Sequence, residues 1–251
     1  MMMPVHALAQ LTWEEVRDID RQQAVVVLPV GAIEAHGPHL PLDTDVVIAT
    51  AMARAGARKL AARGRTVLML PALAYTAAPF GAAFHGTLSI SGTSVTAVIL
   101  DLARSLSQHG FRLFAIANAH LDPEHLAALH EAVQRSRANG LLPIVFPDLT
   151  RRPWGTRLGD EFKSGACHAG QFETSIVLSE RADAVRDDVR QSLAPNPQSL
   201  SQAIKAGKHT FEAAGGPRAY FGDPAAATAD EGARLVDALG SILEEAVLAE
   251  I

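Results

Sequence analysis

Five residues of this chain, Glu34, His36, Asp45, His120 and Asp122, have the types and spacing that could do chemistry. The first three fall in Gly31-Ala32-Ile33-Glu34-Ala35-His36-Gly37-Pro38-His39-Leu40-Pro41-Leu42-Asp43-Thr44-Asp45, a loop dense in metal-capable side chains. Glu34 and His36 stand at alternate positions, so an extended backbone points both the same way. Asp45 falls where a helix should start, among free N–H groups that favour an anion. There it could lend one oxygen to each of two cations. His120 and Asp122 repeat the alternate spacing in Asn118-Ala119-His120-Leu121-Asp122-Pro123. Two imidazoles with three carboxylates suit zinc, manganese or iron better than magnesium or calcium, which prefer oxygen shells. We therefore expect two divalent metal ions per chain, bridged by Asp45, with open positions for water and substrate. Such a pair can share a hydroxide, lower its pKa and polarise a scissile carbonyl. Plainer explanations exist. Asp122 before Pro123 is also what an N-cap and first helical residue look like. Asp45 equally suits a plain helix start. His39 and Asp43 read as loop-ordering or solvent-facing, and His6, His109, His125, His130 and His209 as surface or helix-face residues.

The elements that must position these groups are legible as alternating short strands and longer helices. Ala24 to Val30 is a continuous apolar run ending at Gly31, the pattern of a strand buried on both faces. Thr66 to Leu70, Leu113 to Ala117 and Leu142 to Phe146 read the same way. Helical patterns cover Val46 to Leu60, Thr93 to Leu106, Pro123 to Val133 and Thr174 to Ser179. In the second of these, Val95, Val98, Ile99, Leu102 and Leu106 share a face, and Gly110 follows as a stop. A last helix carries Leu235, Leu239, Ile242 and Ala246, with Thr228 and Glu231 as a capping box. This alternation predicts an α/β fold, a mostly parallel sheet flanked by helices on both faces, with ligands beyond the carboxyl ends of the strands. The least regular stretch, Arg181 to Gly222, reads as surface loop and short helix over the site or at a subunit contact.

Length and composition set the outer bounds. The chain has 251 residues, which with no visible linker favours a single domain over 1–251. Hydrophobic residues make up 48% and charged residues 20%, a globular balance with a sizeable core. A formal net charge of −5 and no basic run argue against a nucleic-acid partner. No apolar run approaches the roughly 18 residues of a membrane helix, and Met1 to Trp13 lacks the pattern of a signal peptide. Cys167 is the single cysteine, so intrachain disulfides and multi-thiolate zinc sites are excluded. A cytoplasmic protein with a small-molecule substrate is expected.

Taken in order, several blocks of the chain resemble the creatininase family of metal-dependent amidohydrolases. The resemblance is carried by Pro29-Val30-Gly31 with Glu34-x-His36-Gly37-Pro38-His39-Leu40-Pro41-Leu42-x-Thr44-Asp45, a specific signature. It continues through Phe84-His85-Gly86-Thr87-Leu88-Ser89, Asn118-x-His120, His168-Ala169-Gly170-x-x-Glu173-Thr174-Ser175 and Gly222-Asp223-Pro224. It implies a creatininase-like α/β sandwich, a binuclear metal centre and a homo-oligomer, hexameric in creatininase itself. It further implies that Glu34 and His120 hold one metal, His36 and Asp122 the other, and that Asp45 bridges them. Asp122 stands where creatininase has a glutamate. By the same likeness His168 is the catalytic proton shuttle and Glu173 a catalytic-site residue that orients a ligand or His168.

The departures concern the substrate wall. Leu121 follows His120 where creatininase has an aromatic residue, and Asp160 to Cys167 lacks the family's Trp-Asp pair at the matching spacing. Creatinine is thus disfavoured as substrate. The family also contains enzymes that deformylate nucleotide-derived formamides or trim a peptide-derived cofactor precursor. The reading is a binuclear amidohydrolase cleaving a C–N bond of a small amide, cyclic amide or formamide. Its alternatives are such a peptidase, a non-catalytic metal-binding family member, and a thiol amidase built on Cys167 with His168.

Overall fold

The computed structural model describes residues 3–251. Five parallel strands form one sheet: β1 (Val5–Ala7), β2 (Ala24–Val30), β3 (Thr66–Met69), β4 (Phe114–Asn118) and β5 (Ile144–Val145), in the order β1-β3-β2-β4-β5. The helices are α1 (Trp13–Arg17), α2 (Thr44–Ala62), α3 (Gly92–Gln108), α4 (Pro123–Ala138), α5 (Gly159–Ser164), α6 (Gln171–Arg181), α7 (Asp187–Gln191), α8 (Leu200–Lys205) and α9 (Ala229–Leu248).

Every residue of β2 is buried, as its unbroken apolar run requires. Its side chains alternate between two cores. Val25 and Val27 pack with Ile48, Met52, Leu239 and Leu243 on the face covered by α2, α6 and α9. Val26, Leu28 and Val30 pack with Val95, Ile99 and Leu129 under α3 and α4. Each such side chain contributes about 1.5–3 kcal/mol on leaving water, so the two-sided burial of β2 fixes its register.

The connection from β2 runs to one side of the sheet and that from β3 returns to the other. The order therefore reverses between β2 and β4, and a crevice opens beyond their carboxyl ends. Gly31 makes the approach of α2 possible there. A Cβ at this position would lie 2.6 Å from the carbonyl carbon of Asp45 and 2.6 Å from Val46 N. The missing side chain lets the first turn of α2 abut the end of β2 and brings Asp45 over the crevice.

The structure also corrects details. β1 is too short for its alternation to be read from sequence, and the segment at 142–146 pairs only over Ile144–Val145. Val98 is 39% exposed instead of sharing the buried face of α3. Thr228 caps α9 by accepting from Glu231 N, but the Glu231 carboxylate turns to Gln171 and Ser175, so the capping box is half formed. The full box belongs to Thr12 and Glu15 at α1.

Candidate metal centre

Beyond the ends of β2 and β4 the chain buries Glu34, His36, Asp45, His120, Asp122, His168 and Glu173, each at most 7% exposed. Glu34 and His36 lie on the loop that extends β2, Asp45 in the first turn of α2, and His120 just past β4. Three groups have ligand atoms that all lie within 4.8 Å of one another: Glu34, Asp45 and His120; His36, Asp45 and Glu173; and Glu34, His36 and His168. Asp45 is shared by the first two. Its Oδ1 lies 3.1 Å from His36 Nε2 and its Oδ2 2.9 Å from His120 Nδ1.

Hydrogen bonds on the far side of each ring settle which nitrogen faces the cluster. His36 donates Nδ1–H to Glu34 O at 3.0 Å and turns Nε2 inward. His120 donates Nε2–H to Ala77 O at 2.8 Å and turns Nδ1 inward. Holding a ring by its outer N–H is how proteins orient an imidazole toward a metal.

The electrostatics ask for positive charge. Burial pushes the Glu34 carboxyl up to about 7, with His120 opposing and Asp45 reinforcing the rise. Burial likewise pushes Glu173 up to about 8. Burial alone would strip the proton from His36, but Asp45, Glu173 and Glu34 outweigh it and push the ring up to about 10. His120 is raised to about 10 in the same way, by Glu34, Asp45 and Asp122 against its burial. Asp45 would be raised by burial, yet the two imidazoles hold it well below the usual carboxylate range. Without a cation, the cluster takes its positive charge as protons on two buried rings. Two buried oxygens, Glu34 Oε1 and Asp45 Oδ2, accept no well-directed hydrogen bond. Orphaned buried oxygens, inward-facing nitrogens and a mixed nitrogen–oxygen donor set all fit divalent cations.

Asp122 lines the same pocket but belongs to none of the three groups. Its Oδ1 accepts from Glu124 N at 2.8 Å as the N-cap of α4, and its Oδ2 accepts from Phe80 N at 3.2 Å. Glu173 stands instead with Oε2 3.5 Å from His36 Nε2, while Ala169 N donates to that oxygen at 2.6 Å. His168 donates Nε2–H to Ala35 O at 3.0 Å, stacks on Phe211 at 4.2 Å and lies 4.4 Å from the His36 ring. Burial, reinforced by His36, pulls its pKa well below the ordinary histidine value, so it is neutral with Nδ1 free to accept.

Several supporting residues went unread in the sequence. His125 is fully buried, not on the surface; its Nε2 bonds Asn118 Oδ1, and Asn118 donates Nδ2–H to His120 O. This chain fixes the backbone that carries His120. His39 is also buried, bonded through Nε2 to Thr174 Oγ1 at 2.9 Å, and burial with the nearby His36 lowers it to about 4. Asp43 orders its loop by pairing with Arg181 at 2.6 Å. Glu161 accepts from Phe172 N at 2.8 Å and Asp223 N at 2.7 Å, pinning the start of α6 and with it Glu173. An acid next to a helix-core phenylalanine, Phe162, gives no sequence sign of such a long-range role. Cys167 borders the pocket, where burial, then Glu173 and Glu161, push its thiol up to about 12.

The wall opposite the cluster comes from the irregular segment between α6 and α9. Leu200, Ile204 and Phe211 close the pocket together with Phe80 and Leu121. Past them a wider cleft of about 670 Å³ opens to solvent, sharing Leu121, Pro123, Thr150, Cys167, Ser201 and Ile204 with the inner pocket.

A parallel sheet with a shared carboxylate at its switch point, flanked by inward-facing imidazoles, is an arrangement able to hold paired divalent cations. A family model described as creatininase, creatinine amidohydrolase, matches residues 9–247, and the chain belongs to this family. A mycofactocin precursor peptide peptidase of Mycobacterium tuberculosis is 35% identical over 225 residues, covering 85% of this chain and 80% of that protein. The creatinine amidohydrolase of Pseudomonas putida is 28% identical over 198 residues, covering 71% and 73%. A crystal structure of creatinine amidohydrolase superimposes with a TM-score of 0.74 at 25% identity, over 97% of this chain and 96% of that one. Solved creatininases of the same fold include a manganese form and a zinc–zinc form.

Proposed function

We propose that this enzyme binds two divalent cations and hydrolyses an amide within an extended, peptide-like substrate. Glu34, Asp45 and His120 would hold one cation and His36, Asp45 and Glu173 the other, with zinc, manganese or iron suited to these donors. Asp122 is assigned to capping α4 and anchoring Phe80 N, since it stands outside all three groups whose ligand atoms converge. When bound, the ions supply an acidified water and polarise the scissile carbonyl. The chain's own residues do the remainder. His168, neutral and held through Nε2–H, can take a proton at Nδ1 and return it to the leaving nitrogen. Phe211 fixes the plane of that ring. Leu121, Leu200 and Ile204 keep bulk water from the buried carboxylates.

The substrate class rests on shape. The inner pocket continues into a cleft of about 670 Å³, more room than a single small ring fills, and Leu121, Leu200 and Ile204 give the inner pocket an aliphatic wall. The relatives named as peptidases, at 30–35% identity, support the same reading. A cytoplasmic homo-oligomer is the setting we assign; the lone cysteine and the exposed side chains of Tyr75 (54%) and Leu88 (52%) support it.

The test is a screen of metal-replete protein against N-acetylated oligopeptides, formamides, hydantoins and creatinine, before and after chelation. Peptide cleavage that chelator abolishes and metal restores is expected. Turnover of creatinine with every peptide inert would overturn the proposal.

A further inference from the structure

The outer cleft has a charge pattern that the reaction at the metal centre does not use. Its lining includes Arg151, Arg152, Lys163 and Lys205 and contains no aspartate or glutamate. This stands out in a chain where Asp and Glu outnumber Lys and Arg by 27 to 22. Two of the four cations are already answered. Arg151 Nε lies 3.0 Å from Asp148 Oδ2, and Lys163 Nζ lies 2.6 Å from Asp160 Oδ1. Arg152 and Lys205 have no carboxylate partner among the described residues and approach the cleft from two different segments, the 151–157 loop and the end of α8.

Like charges gathered around a concavity repel one another, and a cleft lined by one sign of charge concentrates ligands of the other. The cleft is continuous with the catalytic pocket through Leu121, Thr150, Cys167 and Ile204. A ligand spanning both would place its amide at the buried carboxylate cluster and its far end between Arg152 and Lys205.

From this we infer that the outer cleft is an anion subsite, in which Arg152 and Lys205 bind a carboxylate that the substrate carries away from its scissile amide. The inference rests on the peptide-like reading of the reaction and deepens it. Two sources share this chemistry, the C-terminal carboxylate of a short peptide and an acidic side chain within one. The arginine offers a forked pair of donors to a carboxylate and the lysine a point charge, so the subsite sets orientation as well as attraction. Neither residue touches the reacting bond; both position it.

The experiment measures binding by calorimetry on the metal-replete protein with three N-acetylated tetrapeptides: a free C-terminal acid, its C-terminal amide, and that amide with one glutamate side chain. Affinities are compared for the natural chain and for Arg152→Gln/Lys205→Gln, with thermal melting to confirm folding. One charge-assisted contact corresponds to about tenfold in affinity. The free acid should therefore bind about tenfold more tightly than the amide, and the double variant should shrink that ratio to about twofold or less. Raising salt from about 0.05 M to about 0.5 M should shrink it likewise, since the subsite faces solvent. Tighter binding of the glutamate peptide, lost in the variant, supports the subsite with a side chain as its source. Equal affinity for all three peptides, or a preference that survives the double substitution, overturns it. If the preference holds while no peptide is cleaved, the subsite stands and the proposed reaction falls.

Discussion

Replacing Glu173 and Asp122 one at a time separates the ligand set the geometry favours from the one the family likeness suggests. In Glu173→Gln the amide oxygen can still accept from Ala169 N, which now lies 2.6 Å from Oε2, so the start of α6 keeps its anchor. What goes is the negative charge facing His36 Nε2 at 3.5 Å. Loss of an outer-sphere partner typically costs 10–100-fold in metal affinity, and loss of a direct carboxylate ligand must exceed that. We expect more than about 100-fold, or about 2.7 kcal/mol, at the cation held with His36, and little change at the one held with His120. Asp122→Asn is a different perturbation. Asparagine caps helices as well as aspartate does, so α4 keeps its N-cap. One of the two N–H groups now served, Glu124 N or Phe80 N, loses its acceptor, at a cost of about 1–3 kcal/mol of stability. Mass-spectrometric metal analysis after gel filtration, with thermal melting in parallel, reads both effects. The expected pattern is about one retained equivalent in Glu173→Gln, and two in a less stable Asp122→Asn. The reverse, two equivalents in Glu173→Gln and one in Asp122→Asn, refutes the assignment and restores Asp122 as a ligand.

Other substitutions probe the remaining roles. Asp45→Ala removes the carboxylate shared by both groups, so metal analysis should find neither ion tightly held and hydrolysis should vanish; full turnover would exclude the bridging role. His168→Ala should keep its metal yet slow turnover by about two to four decades, the usual scale of lost acid–base help. Metal loss in that variant would instead place His168 among the ligands, with Glu34 and His36. Because its thiol is pushed up to about 12, Cys167 should resist alkylation near pH 8 in the folded protein and react faster only as pH climbs toward that value. Cys167→Ser should leave hydrolysis within about threefold, whereas loss of activity would revive a thiol mechanism.

Much of this architecture could be read before any coordinates. The strand Ala24–Val30 ends where its apolar run ends, because a strand covered on both faces must be apolar throughout and Gly31 interrupts it. The helix after Pro123 was equally legible, since proline supplies a first-turn φ and Asp122 a cap. Glu34 and His36 could be placed on one side of the chain beyond that strand because alternation along an extended backbone is a local rule.

Other features depend on contacts that spacing cannot encode. That the order reverses between β2 and β4, so that their ends share one crevice, is a property of the sheet. His125 looked like a surface residue because its bond to Asn118 spans a turn between strand and helix. Glu173 comes within reach of His36 only because α6 packs on α2 and α9 and is tied down by Glu161, 12 residues earlier in the chain. Local sequence determines which groups are present and which way a strand or helix turns them. Which carboxylate completes a cluster depends on how separate elements dock, and docking is decided by the whole core at once.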